Sequence, residues 1–184
     1  MDIKESDKIR ELKHKSRRLS IKEGIFSSMK ESFGGNYLSP FAIAINSSNS
    51  LVAMLNSIQG LLGPLSQLYG SKLIEKKSRK KVVIRSVFFE SLIWLPLIVI
   101  AILFYKGIIT GFLPLFLLIF FSIYIILANV SHPAWFSWIG DIVDEENRGI
   151  LFAKRTFILG SFSLICAILS AILLDFLKNN NQLI

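Results

Sequence analysis

The chain alternates between long, mostly apolar segments and short polar ones. A bilayer core about 30 Å thick is crossed by roughly 20 helical residues, and five segments of this chain reach that length. The pattern therefore predicts an all-α membrane protein with five transmembrane helices and short connections. The predicted spans are residues 21–45, 51–73, 82–104, 112–139 and 150–177.

The first predicted span is the least apolar of the five. It contains Lys30 and Glu31 and, a few residues later, the polar stretch 34–37. Charged and polar side chains are costly in lipid, so this helix is expected to face protein or water. Ser20 and Glu23 have the spacing of a capping box, which predicts the helix start at this point.

The two ends of the chain are predicted to lie outside the bilayer. Residues 1–20 are rich in Lys and Arg and form a predicted cytoplasmic segment, in which residues 6–18 are either a basic surface helix or disordered. Residues 178–184 form a predicted short external tail.

The first two predicted spans are joined by residues 46–50. These residues are uncharged and offer helix caps, as in a tight hairpin.

Small and polar residues recur at helical spacing on the second and fifth predicted spans. Such stripes are typical of helix-packing interfaces in membranes. The stripe of the second span contains Asn56, Gln59, Gly60, Gly63, Ser66, Gln67 and Gly70, and that of the fifth contains Thr156, Gly160, Ser163, Ala167 and Ser170.

The composition agrees with a membrane protein. Of the 184 residues 52% are hydrophobic and 18% are charged, whereas soluble domains carry about 25% charged residues. Cys166, the only cysteine, cannot form a disulfide within the chain, and one histidine near the membrane, His132, makes no metal site. No cofactor is predicted. An enzyme is disfavoured, because Asp141 and Asp144 are expected at the membrane edge and no catalytic Ser-His or Cys-His set is evident.

The Lys and Arg residues predict the orientation. Of the 21, only Lys106 and Lys178 fall on the predicted outer side, which leaves nineteen on the other side if Lys30 is included. The positive-inside rule then places the amino terminus in the cytoplasm and the carboxyl terminus outside. This topology explains the net charge of +8 without a nucleic-acid partner, and it predicts a multi-pass protein of the plasma membrane with lipid as its surroundings.

The loop from Ser71 to Val82 is the most basic segment near the spans. Its residues resemble, in charge and spacing, the G-x-L-x-D-R-x-G-R-R loop between the second and third helices of major facilitator superfamily transporters. Serines replace both glycines, Glu replaces the Asp and Lys replaces the first Arg. The matching residues are Ser71, Leu73, Glu75, Lys76, Ser78, Arg79 and Lys80. An ordinary positive-inside loop is the alternative.

A second segment, from His132 to Arg155, resembles the junction of helices four and five in bacterial and archaeal permeases of this family. In those proteins an Asp closes helix four and an acidic turn ending in Arg-Gly opens helix five. The matching residues are Asp141, Glu145, Glu146, Arg148, Gly149 and Arg155.

The resemblance covers residues 20–177 and implies most of the amino-terminal six-helix half of a transporter, one helix short. A small solute would cross by alternating access with a carboxyl-terminal half or a second transporter subunit as partner. The fourth span lacks the Arg, and the fifth lacks the Gly-Pro signature, of many proton antiporters, which disfavours drug–proton antiport. A membrane scaffold or assembly subunit and a non-functional gene fragment are the alternatives.

The candidate residues for a solute or proton cavity are the polar ones expected at mid-membrane depth. Glu31 or Glu90 could bind a proton or a polar solute, and Lys30 is expected either to pair with Glu90 or to extend to the inner surface. Asn36 and Tyr37 follow two glycines and either line the cavity or pack against partner helices.

The resemblance also implies a cytoplasmic gate. Glu75, Arg79, Asp141 and Arg148 would form one charge network that favours the outward-open state. Orientation alone explains the two arginines but gives no reason for the two acids, since acids contribute little to topology.

Overall fold

In the computed structural model, which describes residues 3–108 and 111–179, all regular structure is helical. This confirms the all-α prediction for the described ranges. The elements are α1 (Ile3–Phe33), a 3-10 turn (Gly35–Tyr37), α2 (Leu38–Ala44), α3 (Asn49–Lys76), α4 (Arg79–Tyr105), α5 (Leu113–Ile142) and α6 (Glu145–Asn179). Part of the predicted outer turn after Lys106, residues 109–110, and most of the predicted tail, residues 180–184, lie outside these ranges.

Among the described helices, α4, α5 and α6 are long and apolar enough to cross a membrane. They correspond to the third, fourth and fifth predicted spans, each extended by a few residues at one or both ends. The chain is therefore a membrane protein, with three helices that qualify as spans by their own length and composition.

Helix α1 begins long before the predicted first span. Ser20 lies inside this helix, so the predicted capping box is wrong: the backbone N–H groups at this point already bond within the helix. The Ser20 hydroxyl is buried and has no hydrogen-bond partner among the described residues. Residues 6–18 are helical rather than disordered, and contacts of this part of α1 with the start of α6 give a reason for the extension.

The first predicted span is not one helix. It is interrupted after Phe33, and the chain passes through Gly34 and the 3-10 turn before α2 continues to Ala44. Pro40 gives a reason for the interruption. In a continuous helix its ring would clash with the carbonyl group four residues earlier, which belongs to Asn36. Proline is tolerated in the first turn of α2, where it lies.

The polar turns predicted between the spans are short. Ser48 caps α3 by accepting a hydrogen bond from the Leu51 amide (3.3 Å), as the sequence of the hairpin predicted. Asn46 has a φ of 56°, a left-handed conformation that asparagine adopts more readily than most residues. Only two residues separate α5 from α6, so most of the segment 140–149, which lies between the fourth and fifth predicted spans, is helical.

The chain divides into two compact units, Met1–Leu38 with Gly140–Ile184 and Ser39–Ile139. In the first unit α1 packs along α6. In the second, α3, α4 and α5 share an apolar cluster. The buried members of this cluster are Val82, Val130 and Ala134, and the half-buried ones are Leu73, Ile74 and Val83.

Candidate functional site

Helices α1 and α6 run side by side in the same direction. Lys13 contacts Asp144, Ser32 contacts Ser163, and Tyr37 contacts Ser170. Since the residue number rises along both helices from one contact to the next, the two helices are parallel. Polar contacts therefore recur along the seam between them, with apolar contacts such as Gly24 against Leu159 in between.

A pair of serines occupies the middle of this seam. The Ser32 side chain is fully buried (0% exposed), its Oγ lies 2.8 Å from the Oγ of Ser163, and it also donates to the Ser163 carbonyl at 3.2 Å. Hydroxyls can donate and accept together, so each serine satisfies the other without any charged partner.

Further along both elements, Tyr37 of the 3-10 turn is hydrogen-bonded to α6. Its hydroxyl lies 2.8 Å from the Oγ of Ser170, which donates to the Ala167 carbonyl at 3.0 Å. Because the single proton of Ser170 is used for that bond, the Tyr37 hydroxyl is the donor between the two side chains. The predicted site residue Tyr37 is thus half-buried and fixed by a partner helix.

The interruption of the first span presents polar groups beside two glycines. The Gly34 amide closes the last turn of α1 on the Lys30 carbonyl (3.0 Å). The Glu31 carboxylate lies directly against Gly35, where any Cβ would overlap it unless it moved. Asn36 is exposed on the turn itself. The break therefore places the Glu31 carboxylate against Gly35 and leaves Asn36 exposed on the turn, while the cavity role of both residues stays a prediction.

The other end of the seam is charged. Lys13 Nζ lies 2.8 Å from Asp144 Oδ1, and Arg17 contacts Oδ2 at 3.5 Å. The hydrogen bond from Lys13, its charge and the charge of Arg17 hold the pKa of Asp144 below its ordinary 3.8. Arg155, which the resemblance assigned to the fifth-helix motif, donates to Glu23 at 3.3 Å and to the Ser20 carbonyl at 3.4 Å.

Arg148 fixes the turn between α5 and α6. Its guanidinium donates to the carbonyls of Gly140 (2.7 Å) and Val143 (3.1 Å) and to Glu145 at 3.5 Å. Arg148 thus satisfies two backbone carbonyl groups at the end of α5. The sequence reasoning missed this local role.

In the second unit, α3 meets α5 along part of its predicted stripe. Gly63 contacts the Asn129 side chain, and Gln67 donates to Asn129 Oδ1 at 2.9 Å. Gly70 lies against the Val130 backbone so closely that a Cβ would overlap the carbonyl oxygen. The prediction of a packing stripe is confirmed for this half of α3, which includes the buried Ser66. Its other members, Asn56, Gln59 and Gly60, are exposed.

The predicted pairing of Lys30 with Glu90 stays a prediction. Glu90 is buried on α4 (6% exposed), and Lys30 is half-buried on α1, in the other unit. One turn beyond Glu90, the Trp94 indole N–H is buried with no hydrogen-bond partner among the described residues, and its ring contacts Tyr124 edge-on at 5.7 Å.

An open cavity of about 330 Å³ lies at the basic turn between α3 and α4. Three predicted gate residues line it, namely Leu73, Lys76 and Ser78. Lys76 is the last residue of α3, and Ser78 caps the start of α4. The sequence reasoning missed the other lining residues. The helical spacing of four between Lys81 and Arg85 on α4 could have indicated that these two share a face. The missed residues are Lys77, Lys81, Val82, Arg85 and Ser86.

Most of the remaining gate residues lie near the ends of their helices. Ser71 bonds its own helix at the Leu68 carbonyl (2.8 Å), and Arg79 is half-buried in the first turn of α4. The exposed members are Ser71, Glu75, Lys80, Asp141 and Gly149. The predicted network of Glu75, Arg79, Asp141 and Arg148 draws residues from both units and stays a prediction.

No family model matches the chain, and no curated protein or solved structure matches it.

Proposed function

We propose that this chain forms the amino-terminal part of a major facilitator superfamily permease. It carries a small solute by alternating access, together with a carboxyl-terminal half or a second transporter subunit. Its amino terminus lies in the cytoplasm and five helical segments cross the plasma membrane, the first made of α1 and α2. The observation that carries the proposal is the interruption of this first segment at Gly34–Tyr37.

Contacts with α6 support a membrane position for the interruption. Ser163 lies at the middle of the apolar run 150–177, and Ser32 is hydrogen-bonded to it. A parallel helix bonded to the middle of a membrane span shares its depth. At 1.5 Å per residue, the break at Gly34–Tyr37 then lies within about 8 Å of the bilayer midplane.

The directions of the helices also support five crossings. In an alternating topology, spans one and five run the same way, as α1 and α6 do. Spans three and four must be antiparallel: Val82 packs near Val130 and Ala134, whereas Trp94, further along α4, contacts Tyr124, which is earlier on α5. The residue number rises on one helix as it falls on the other, which is the antiparallel pattern.

A helix break at this depth supports a role in binding a solute or an ion. Non-helical backbone in the hydrocarbon region is tolerated only inside protein or beside water, and interrupted helices near the midplane form solute and ion sites in secondary transporters. The break of this chain brings Glu31 and Asn36 to that depth. Glu31 can hold a proton or a cationic group, and the Asn36 amide can bond a polar solute.

Cysteine accessibility tests this site in the full chain. In a Cys166→Ala background, Asn36→Cys should react with a membrane-impermeant maleimide, because a water-filled cavity makes the thiol reactive. Leu169→Cys is the matched control: it lies next to Ser170, the partner of Tyr37, is 54% exposed in the structure and should face lipid, so it should not react. An unreactive Asn36→Cys, probed from both sides of the membrane, would rule out the cavity.

Transport itself separates a permease from a scaffold or assembly subunit. Uptake of a solute should require this chain together with a second half, and Asn36→Ala should reduce it while leaving the assembled complex intact. A complex that assembles and shows the same uptake with Asn36→Ala would favour the scaffold reading for this unit.

A further inference from the structure

The cavity at the α3–α4 turn is strongly basic. Four cationic side chains and no carboxylate line its 330 Å³. Within the described part of the chain none of these four forms an ion pair, although other cations of the chain do. The cationic residues are Lys76, Lys77, Lys81 and Arg85. Like charges held around one cavity repel, and a bound anion would remove that repulsion.

Uncharged donors line the same cavity. Ser86, which is only 7% exposed, is one of the lining residues and carries a hydroxyl. Ser78 stands at the cap of α4 without a side-chain cap bond, so the first N–H groups of that helix have no side-chain acceptor there. Helix N-termini with open N–H groups favour anions.

The two remaining lining residues are apolar. Leu73 is half-buried and Val82 is buried, and α4 continues from here as an apolar helix able to cross the membrane. The cavity therefore joins exposed cationic side chains and hydrogen-bond donors to a hydrophobic margin at the end of a span. A ligand that suits both parts carries an anionic group next to an apolar chain.

We propose that this cavity binds the phosphate group of an anionic phospholipid. The four cations supply charge, while Ser86 and the open end of α4 supply hydrogen-bond donors for the phosphate oxygens. Basic pockets between membrane helices are suited to anionic headgroups, whose potential also attracts each nearby Lys or Arg. The proposal does not depend on the transport function, since it uses only the α3–α4 turn.

The test is a titration of the purified full chain in neutral detergent. The probes are dihexanoyl phosphatidylglycerol, dihexanoyl phosphatidylcholine and sn-glycerol 3-phosphate, with binding followed by a change in intrinsic fluorescence or by calorimetry. The phosphatidylglycerol should bind at least tenfold more tightly than either of the others. Equal affinity for phosphatidylcholine would overturn the proposal, and equal affinity for glycerol phosphate would overturn the lipid as the source of the phosphate.

Charge variants then locate the site. Lys81→Gln with Arg85→Gln should weaken phosphatidylglycerol binding about 25-fold, at about fivefold for each cation. The matched control is Lys72→Gln with Lys80→Gln, which removes the same charge from exposed residues outside the lining and should change affinity less than threefold. Equal losses in the two double variants would mean diffuse attraction and would overturn a defined site.

A neutral variant completes the test. Ser86→Ala removes one buried donor without changing the charge, and it should weaken phosphatidylglycerol binding about tenfold, because hydrogen bonds to charged groups are the stronger ones. Unchanged affinity, in a variant with the same helix content as the parent, would contradict the role of this hydroxyl and the location of the phosphate.

Discussion

The helices within the first unit and those within the second are held together by different kinds of contact. In the first unit α1 and α6 meet through side-chain hydroxyls and charges, as in the pairs Ser32–Ser163 and Tyr37–Ser170. In the second unit the helices meet mainly through apolar side chains, aromatic edges and the close approach of Gly70 to the Val130 backbone.

The helices that are apolar enough to cross a membrane by their own composition come from both units, α6 from the first and α4 and α5 from the second. Helices α4 and α5 present apolar surface outward, with Phe88 58% and Leu115 51% exposed, so they qualify by their own sequence. Several polar groups of α1, among them the side chains of Glu23 and Ser32, have partners on α6. Whether such a helix can enter a membrane therefore depends on its partner as much as on its own residues.

The largest expected effect of a small change is in the second unit, at Gly70. Gly70→Ala would force a Cβ against the Val130 carbonyl, a backbone group that cannot rotate away, so α3 and α5 must separate. The free energy of unfolding should fall by about 3 kcal/mol, the upper part of the usual range for overpacking. Unfolding by increasing SDS in mixed micelles, followed by circular dichroism, would measure it.

Two other glycines are the controls for this comparison. In the first unit, Gly24→Ala meets the ends of flexible side chains, Leu159 Cδ2 at 2.6 Å and Arg155 Nη2 at 2.8 Å, so it should cost less than about 1 kcal/mol. Gly60→Ala meets nothing within 4 Å and should be neutral or gain up to about 1 kcal/mol of helix propensity. A loss at Gly24 equal to that at Gly70 would contradict the contrast between the units.

Hydrophobic periodicity predicted the helical class and the approximate bounds of the later spans. It failed at the first span, because the capping pattern at Ser20 is local, whereas contacts of Lys13 and Arg17 with Asp144, over 120 residues away, accompany the extension of the helix through that point. The break after Phe33 had signals in the sequence, the glycines and Pro40, whose combined effect was not recognised.

The packing seam on α6 was predicted in kind and only partly in position. Ser163 and Ser170 belong to it, as expected, but Thr156 and Gly160 are exposed. The residues that do contact α1 near its middle include Leu159, so the seam is rotated relative to the small-residue stripe. A stripe of small residues indicates close approach, but the face that packs also depends on which polar groups find partners.

The next prediction concerns the strength of the polar seam. A double-mutant cycle with Tyr37→Phe and Ser170→Ala should give a coupling free energy of about 0.6 kcal/mol and no more than about 1.7, the range measured for interhelical hydrogen bonds in membranes. Ser57→Ala in place of the second change is the control, since among the described residues Ser57 bonds the Ala53 carbonyl of its own helix (3.0 Å), and its effect should be additive. A coupling below the error of the control would show that this contact does not join the helices.

The smallest expected effect lies at the charged end of the same seam. Asp144 is exposed and paired with Lys13, and its pKa is lowered from 3.8. A carboxyl whose pKa is depressed by folding stabilises the folded state above its unfolded pKa and loses that contribution as the pH falls through the folded value. The stabilisation should therefore be fully present at neutral pH and disappear only on acidification below 3.8.

Carbon-13 NMR titration of the Asp144 carboxyl in micelles would test the cause of the shift. Lys13→Gln should return the pKa towards 3.8 more than Arg17→Gln does, because the hydrogen bond from Lys13 is the largest contribution and its 2.8 Å contact is shorter than the 3.5 Å contact of Arg17. Glu146→Gln is the control, since Glu146 forms no ion pair within the described chain and should leave the titration unchanged. High salt should weaken the effect, because exposed pairs are screened. If Arg17→Gln shifts the pKa more than Lys13→Gln, the arrangement of charges that joins α1 to the start of α6 is wrong.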